Sequence, residues 1–195
     1  MKSFEEYVEQ ARVAHGHLCA GQILGVRMAL FGINFLGIRD PSGTDRKRLV
    51  TFVEIDRCAT DAIGVVTGCR LGKRALKFRD WGKMAATFCD LAANRAIRVV
   101  ALESSKARAR ELYPDLSSSN EAQMIAYRQM PDDELFSHQA VLVRIGPEDL
   151  PGYKAARIVC DECGEGINFH REVIVNNQTK CRACAGERYW QAIST

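Results

Sequence analysis

No apolar run in this 195-residue chain approaches the ~20 residues needed to span a bilayer, so no membrane-spanning helix is expected. An excess of one charge sign is also missing. The 27 basic and 24 acidic residues are interspersed and leave a formal net charge of +3, which removes any whole-protein case for nucleic-acid or membrane binding. The start, Met1-Lys2-Ser3-Phe4-Glu5-Glu6-Tyr7, is acidic and amphipathic and lacks the basic-then-apolar order of a secretory leader. Internal repeats and low-complexity tracts are absent too. Proline is scarce, and two of its 5 occurrences, Pro147 and Pro151, fall in one short stretch.

What the chain does have is cysteine, 8 in all, on a background that is 47% hydrophobic and therefore able to build a core. Cysteines without a secretory leader point to a reducing cytoplasm, where they serve as metal ligands or catalysts rather than disulfides. Four of them form two Cys-x-x-Cys pairs, Cys160/Cys163 and Cys181/Cys184, separated by 17 residues. Each pair makes a tight knuckle, and together they offer four thiolates to one tetrahedral ion. Between the pairs lie a β-rich stretch, Phe169 to Val175, and a turn at Asn176-Asn177. After them, residues 187–193 have the pattern of a helix. This is the order of a treble-clef zinc finger, with His170 as a hairpin residue rather than a ligand. So small a module cannot build a sufficient core alone, and zinc is expected to supply folding energy. Basic residues in it are diluted by Asp161, Glu162, Glu165, Glu172 and Glu187, which disfavours a nucleic-acid finger.

Upstream of Gly146–Gly152, the clearest boundary, the pattern is that of an α+β core domain over residues 1–150, followed by the zinc-finger module over 151–195. Apolar positions at helical spacing predict helices over 3–14, 20–31, 59–66, 104–113 and from 119 to the Met130-Pro131 stop, with Gly32 expected to end the second. β-rich segments predict strands over 49–55, 75–79, 84–91, 96–102 and 139–145. Helices mixed with hairpin-connected strands imply an antiparallel sheet rather than a regular βαβ repeat.

The densest chemistry in that core is His15-Gly16-His17-Leu18-Cys19-Ala20-Gly21, which places two of 4 histidines and a cysteine within five residues. Imidazole nitrogen and thiolate sulfur are good zinc ligands and common acid–base and nucleophilic groups. Cys19 stands at the start of the second helix, where the dipole favours negative charge on sulfur. Cys58 and Cys69 lie at the ends of elements, where site residues are often presented, and read either as core or as site, whereas Cys89 sits in an apolar strand and reads as core. Lys83, after Gly82, is placed to offer a cation to an anionic ligand. Gly72-Lys73-Arg74 reads as a turn ahead of the strand over 75–79.

Taken in order, the His15–Gly21 loop, Gly25 and Met28, Cys58-Ala59-Thr60-Asp61-Ala62-Ile63, Thr67-Gly68-Cys69, Asp80-x-Gly82-Lys83-x-Ala85, Pro131-x-x-Glu134-Leu135-Phe136 and the terminal four-cysteine module resemble the FmdE family, named for the E component of formylmethanofuran dehydrogenase, over nearly the whole chain. The family loop commonly has proline where this chain has Ala20, a departure that removes no ligand. The resemblance implies an α+β core with an appended zinc finger, a homodimer, and association with molybdenum or tungsten oxidoreductase subunits of one-carbon metabolism. It maps a core site onto His17, Cys19 and Cys58, with His15 and Cys69 nearby. The expectation is a cytoplasmic metal-binding protein with structural zinc at Cys160, Cys163, Cys181 and Cys184. A second metal is expected at the His/Cys core site, in an accessory or metal- or cofactor-handling role. Two alternatives are a free-standing enzyme using Cys19 as nucleophile and His17 as base, and a zinc-finger regulator binding nucleic acid.

Overall fold

The structure, a computed structural model, describes residues 1–193 in two compact units, the first over 1–144 and the second from 145 onward. In the first, helix α1 (Phe4–His15) starts from a capping box. The Ser3 hydroxyl accepts from the Glu6 N–H, and the Glu6 carboxylate accepts from the Ser3 N–H at 2.7 Å. One face of α1 buries Tyr7, Val8 and Ala11.

Helix α2 (Ala20–Phe35) is buried on nearly every side, as its uniformly apolar sequence requires. It continues past Gly32, which the sequence pattern assigns as its end. Gly32 is a packing position: a Cβ there would run into the ring of Phe88. Gly25, two turns earlier, lets the backbone of α3 (Cys58–Thr67) come close, since a Cβ at 25 would lie 2.6 Å from the Ala59 carbonyl oxygen.

Five strands, β1 (Leu49–Val53), β2 (Leu76–Phe78), β3 (Ala85–Asp90), β4 (Arg95–Ala101) and β5 (Phe136–Val141), form one sheet in the order β2-β1-β3-β4-β5. All pairs are antiparallel except β1 with β2, which run parallel because α3 forms the crossover between them. The sheet is therefore mixed within an α+β unit. One face, carrying Leu49, Val53, Ala86, Phe88, Ile97 and Val99, packs into the same hydrophobic cluster as α1, α2 and α3. On the other face Arg98 grips the carboxylate of Glu54 with two bonds of 2.7 and 2.6 Å, and Glu54 is only 3% exposed. Strand β5 begins at Phe136, earlier than its apolar run suggests, because the chain leaves the short helix α6 (Asp132–Leu135) directly in register with Ala101 of β4.

Helices α4 (Ser104–Leu112) and α5 (Ser119–Gln129) pack together, with Ser105 Oγ 3.3 Å from the buried Tyr127 hydroxyl. Arg27 ties α2 to them, donating to the carbonyls of Tyr127 and Met130 and to the carboxylate of Asp132.

The second unit holds two small antiparallel pairs, β6 (Ile158–Val159) with β7 (Gly166–Ile167) and β8 (Val173–Val175) with β9 (Gln178–Lys180). Asn176 and Asn177 close the second pair with φ of 51° and 62°, as an asparagine turn can. The helix expected over 187–193 is not there. A single helical turn covers Ala183–Glu187 instead, kinked at Gly186 (φ 111°), and Arg188 leaves it in extended conformation.

The fit of Phe88 over Gly32 makes a test. Phe88 is fully buried, and Phe88→Ala is expected to lower stability by about 3–5 kcal/mol, read as a drop in the midpoint of thermal or urea unfolding.

Candidate functional site

Three helix ends converge in the first unit. Helix α1 delivers His15 at its last position, and Gly16 turns the chain out of the helix with φ 95° and its N–H on the Arg12 carbonyl. His17 and Leu18 follow, and Cys19 is the N-cap of α2, with no side-chain cap bond of its own. The first amide of α2 is satisfied from elsewhere: Ala20 N–H donates to Asn120 Oδ1 at 3.1 Å. Cys58 opens α3 beside it. A Cβ built at Gly21 would meet Cys58 Cβ at 3.3 Å and Cys19 Sγ at 3.7 Å, so this glycine is what lets the two cysteines share one edge of the site.

His15, His17 and Cys19 each offer a ligand atom, and these atoms all lie within 4.8 Å of one another. The two imidazole rings are tilted by 46° with centroids 4.8 Å apart. His17 is exposed, while His15 and Cys19 are half-buried. Asp61, one turn into α3, sits 2.7 Å from His15 Nδ1. That contact engages Nδ1 and leaves Nε2 as the nitrogen available for a ligand role, the carboxylate–histidine arrangement common behind metal-bound imidazole. Cys58 falls outside the closest trio but touches it. Burial pushes its thiol up, and the neighbouring Cys19 sulfur pushes it further.

Two other sequence candidates are placed elsewhere. Cys69 is a core residue. Its sulfur accepts from Thr51 Oγ1 at 3.5 Å and faces the Leu49 carbonyl at 3.6 Å, and burial raises its pKa. The thiol is a small hydrophobic filler under β1, the core alternative of the two readings its sequence position allows. Lys83 is exposed, with Nζ 5.9 Å from the Trp81 ring, and is not among the cluster's residues. Cys89 is buried in β3, its thiol pushed up to about 12 by desolvation. Asp61 and Asn120 do not stand out in the sequence as site residues. The one available signal was an acid three residues after Cys58 on the same helix.

In the second unit, ligand atoms of Cys160, Cys163, Cys181 and Cys184 also lie within 4.8 Å of one another. The Cys163 and Cys181 sulfurs are 3.9 Å apart. A tetrahedral ion with Zn–S bonds of ~2.3 Å has sulfurs separated by about 3.8 Å, which the Cys163–Cys181 pair matches closely. The electrostatics fit as well. Backbone N–H groups of Cys163 and Cys181 draw the Cys160 thiol down to about 6, the direction a ligand needs. Desolvation and then the three neighbouring sulfurs push Cys184 up to about 12, a repulsion that a dication reverses. Arg188 Nη2 reaches the Cys184 sulfur at 3.7 Å. His170 stays outside, next to Glu172.

Comparison with known proteins bears on both units. Residues 154–189 match the prokaryotic dksA/traR C4-type zinc finger, so the second unit is a four-cysteine zinc finger. A probable S-adenosyl-L-methionine-binding protein of Archaeoglobus fulgidus is 38% identical over 79 residues, 40% of this chain. The match spans only 22% of that relative's length. The crystal structure of a tungsten formylmethanofuran dehydrogenase FmdE-like protein from Syntrophus aciditrophicus superposes with a TM-score of 0.65 at 20% identity. The superposition covers 97% of this chain and 96% of that one, and at such identity it speaks for the fold. Residues 14–137, which contain the whole His15–Cys58 cluster, match the family model described as FmdE, molybdenum formylmethanofuran dehydrogenase operon, and the chain belongs to the FmdE family.

Proposed function

We propose that the His15–His17–Cys19 cluster is a second, open metal centre, and that the protein serves molybdenum- or tungsten-dependent one-carbon redox metabolism as an accessory or metal- or cofactor-handling protein. The observation that carries the metal reading is the convergence of three ligand atoms within 4.8 Å at an exposed helix junction. Three protein ligands leave a fourth position of a tetrahedral ion open to water or substrate, the pattern of working rather than structural sites. When bound, such an ion would supply Lewis acidity and a bound water of lowered pKa. The chain's own residues do the rest. Asp61 fixes the ring of His15, Asn120 secures the start of α2 next to Cys19, and Cys58 stands beside Cys19 as a further sulfur. The description of the family by a molybdenum formylmethanofuran dehydrogenase operon supports the metabolic setting.

The exposed imidazole of His17 beside Cys19, at the N-terminus of α2, also supports a second reading, a free-standing enzyme with Cys19 as nucleophile and His17 as base. Iodoacetamide labelling separates the two. A metal-held Cys19 is protected until a chelator is added, whereas rapid labelling of the metal-loaded chain favours the nucleophile.

Metal analysis of the purified chain tests the main reading. About two ions per chain are expected, falling to about one in Cys19→Ala or His17→Ala. Unchanged metal content in both variants would overturn it. Asp61→Ala is expected to weaken metal binding at the core site by roughly 10- to 100-fold, measured by competition with a chromogenic chelator. Stripping zinc from the finger should abolish hydrogen-exchange protection in residues 158–180 while the sheet of the first unit keeps its own.

A further inference from the structure

Beside the cluster, two hollows run along the outer side of α3, each of about 350 Å³. They share Gly64, Val65 and Arg70 and so form one continuous groove. Its first end reaches Thr60 and Asp61, the residue that holds His15. Its middle is apolar, with Val65, Leu71 and Leu76, and Leu71 leaves 64% of itself exposed at the lip. Its far end is lined by Arg46, Arg70 and Lys73, with Ser42 and Gln10 as uncharged polar neighbours and no acidic residue.

Arg46, Arg70 and Lys73 have no ion-pair partner among the described residues, although the nearby Arg48 is fully engaged by Asp45 and Asp90. Three full cations therefore face one polar hollow without internal neutralisation. The carbonyl end of α3 points to the same place, but a helix C-terminus carries only about half a negative charge. The basic turn from Arg70 to Arg74 belongs to no catalytic or zinc-binding element, yet its backbone is fixed: the Lys73 and Arg74 amides donate to the carbonyls of Arg70 and Leu71. From Asp61 to Gly68 is seven residues of helix, about 10 Å.

We propose that this hollow binds the anionic end, phosphate or carboxylate, of a small molecule whose apolar middle lies along α3 and whose other end extends past Asp61 toward the His15–Cys19 cluster. The reach to the cluster rests on the metal-centre reading, whereas the anion site stands without it. Arg46 and Arg70 supply forked donors and Lys73 a point charge, a combination suited to phosphate and carboxylate oxygens.

Isothermal titration of the full-length, metal-loaded chain with pyrophosphate and with citrate tests the proposal. Saturable binding that weakens as salt is raised is expected. Arg70→Gln and Lys73→Gln should each weaken it by roughly ten-fold, and the Arg46→Gln/Arg70→Gln/Lys73→Gln variant should lose it, with core metal content unchanged in all. Tighter binding of pyrophosphate assigns a phosphate-bearing ligand, and tighter binding of citrate a carboxylate. No binding of either anion, or unaltered binding in the triple variant, overturns the proposal. Should the triple variant lose its circular-dichroism signal, the two single variants decide. Anion binding in a chain that holds no core metal leaves the anion site standing and removes the metal-centre reading.

Discussion

Helices α2 and α3 approach more closely than two ordinary side-chain layers allow, and the site depends on that approach. Gly25 against the Ala59 backbone sets the separation, and Gly21 against Cys58 extends the contact to the helix starts. Because both helices begin at the same place, their positive dipole ends and first residues, Cys19 and Cys58, are brought to one edge. The sheet below holds this pair in place, since Phe88 fills the gap at Gly32 and strands β1 and β2 anchor the two ends of α3. Helix α1, packed in the same hydrophobic cluster, then has its last residue over the junction. The cluster is thus a product of backbone proximity and not of a dedicated binding loop.

The two cysteine-bearing centres solve different problems. In the finger, four sulfurs repel one another and little apolar surface is available, so the module needs a cation to be a folded object at all. In the core domain the fold has ample hydrophobic burial of its own, and the His/Cys cluster sits on its surface as an addition. That difference leaves the core cluster free to be incomplete, with three ligand-type side chains and an exposed imidazole.

Legibility in the sequence followed the range of the interactions. The four-cysteine finger was readable because its ligands come in local pairs whose spacing is the geometry. The His15–Cys19 loop was readable for the same reason, and the α+β character followed from apolar periodicity. What depends on distant packing was not. Gly32 looks like a helix stop until Phe88, which comes from β3, is placed over it. Cys69 reads as either core or site until Thr51 and Leu49 enclose its sulfur. The parallel β1–β2 pair follows from where α3 packs, and strand alternation alone does not encode it. The tail helix does not form: the turn over Ala183–Glu187 is kinked at Gly186, with φ 111°, and Arg188 leaves it in extended conformation. Asp61 was visible as a residue but not as a partner, because its bond to His15 crosses 46 positions.

The bond between His15 and Asp61 joins the end of α1 to the start of α3. Gln22 of α2 likewise donates to the Ala11 carbonyl of α1, and any ion held at His15, His17 and Cys19 would add a further clamp between these elements. Binding that favours the folded over the unfolded chain raises stability by mass action. With an ion held there, the first unit would act as a thermodynamic gauge, in which the resistance of three helices to melting rises and falls with the metal available around them.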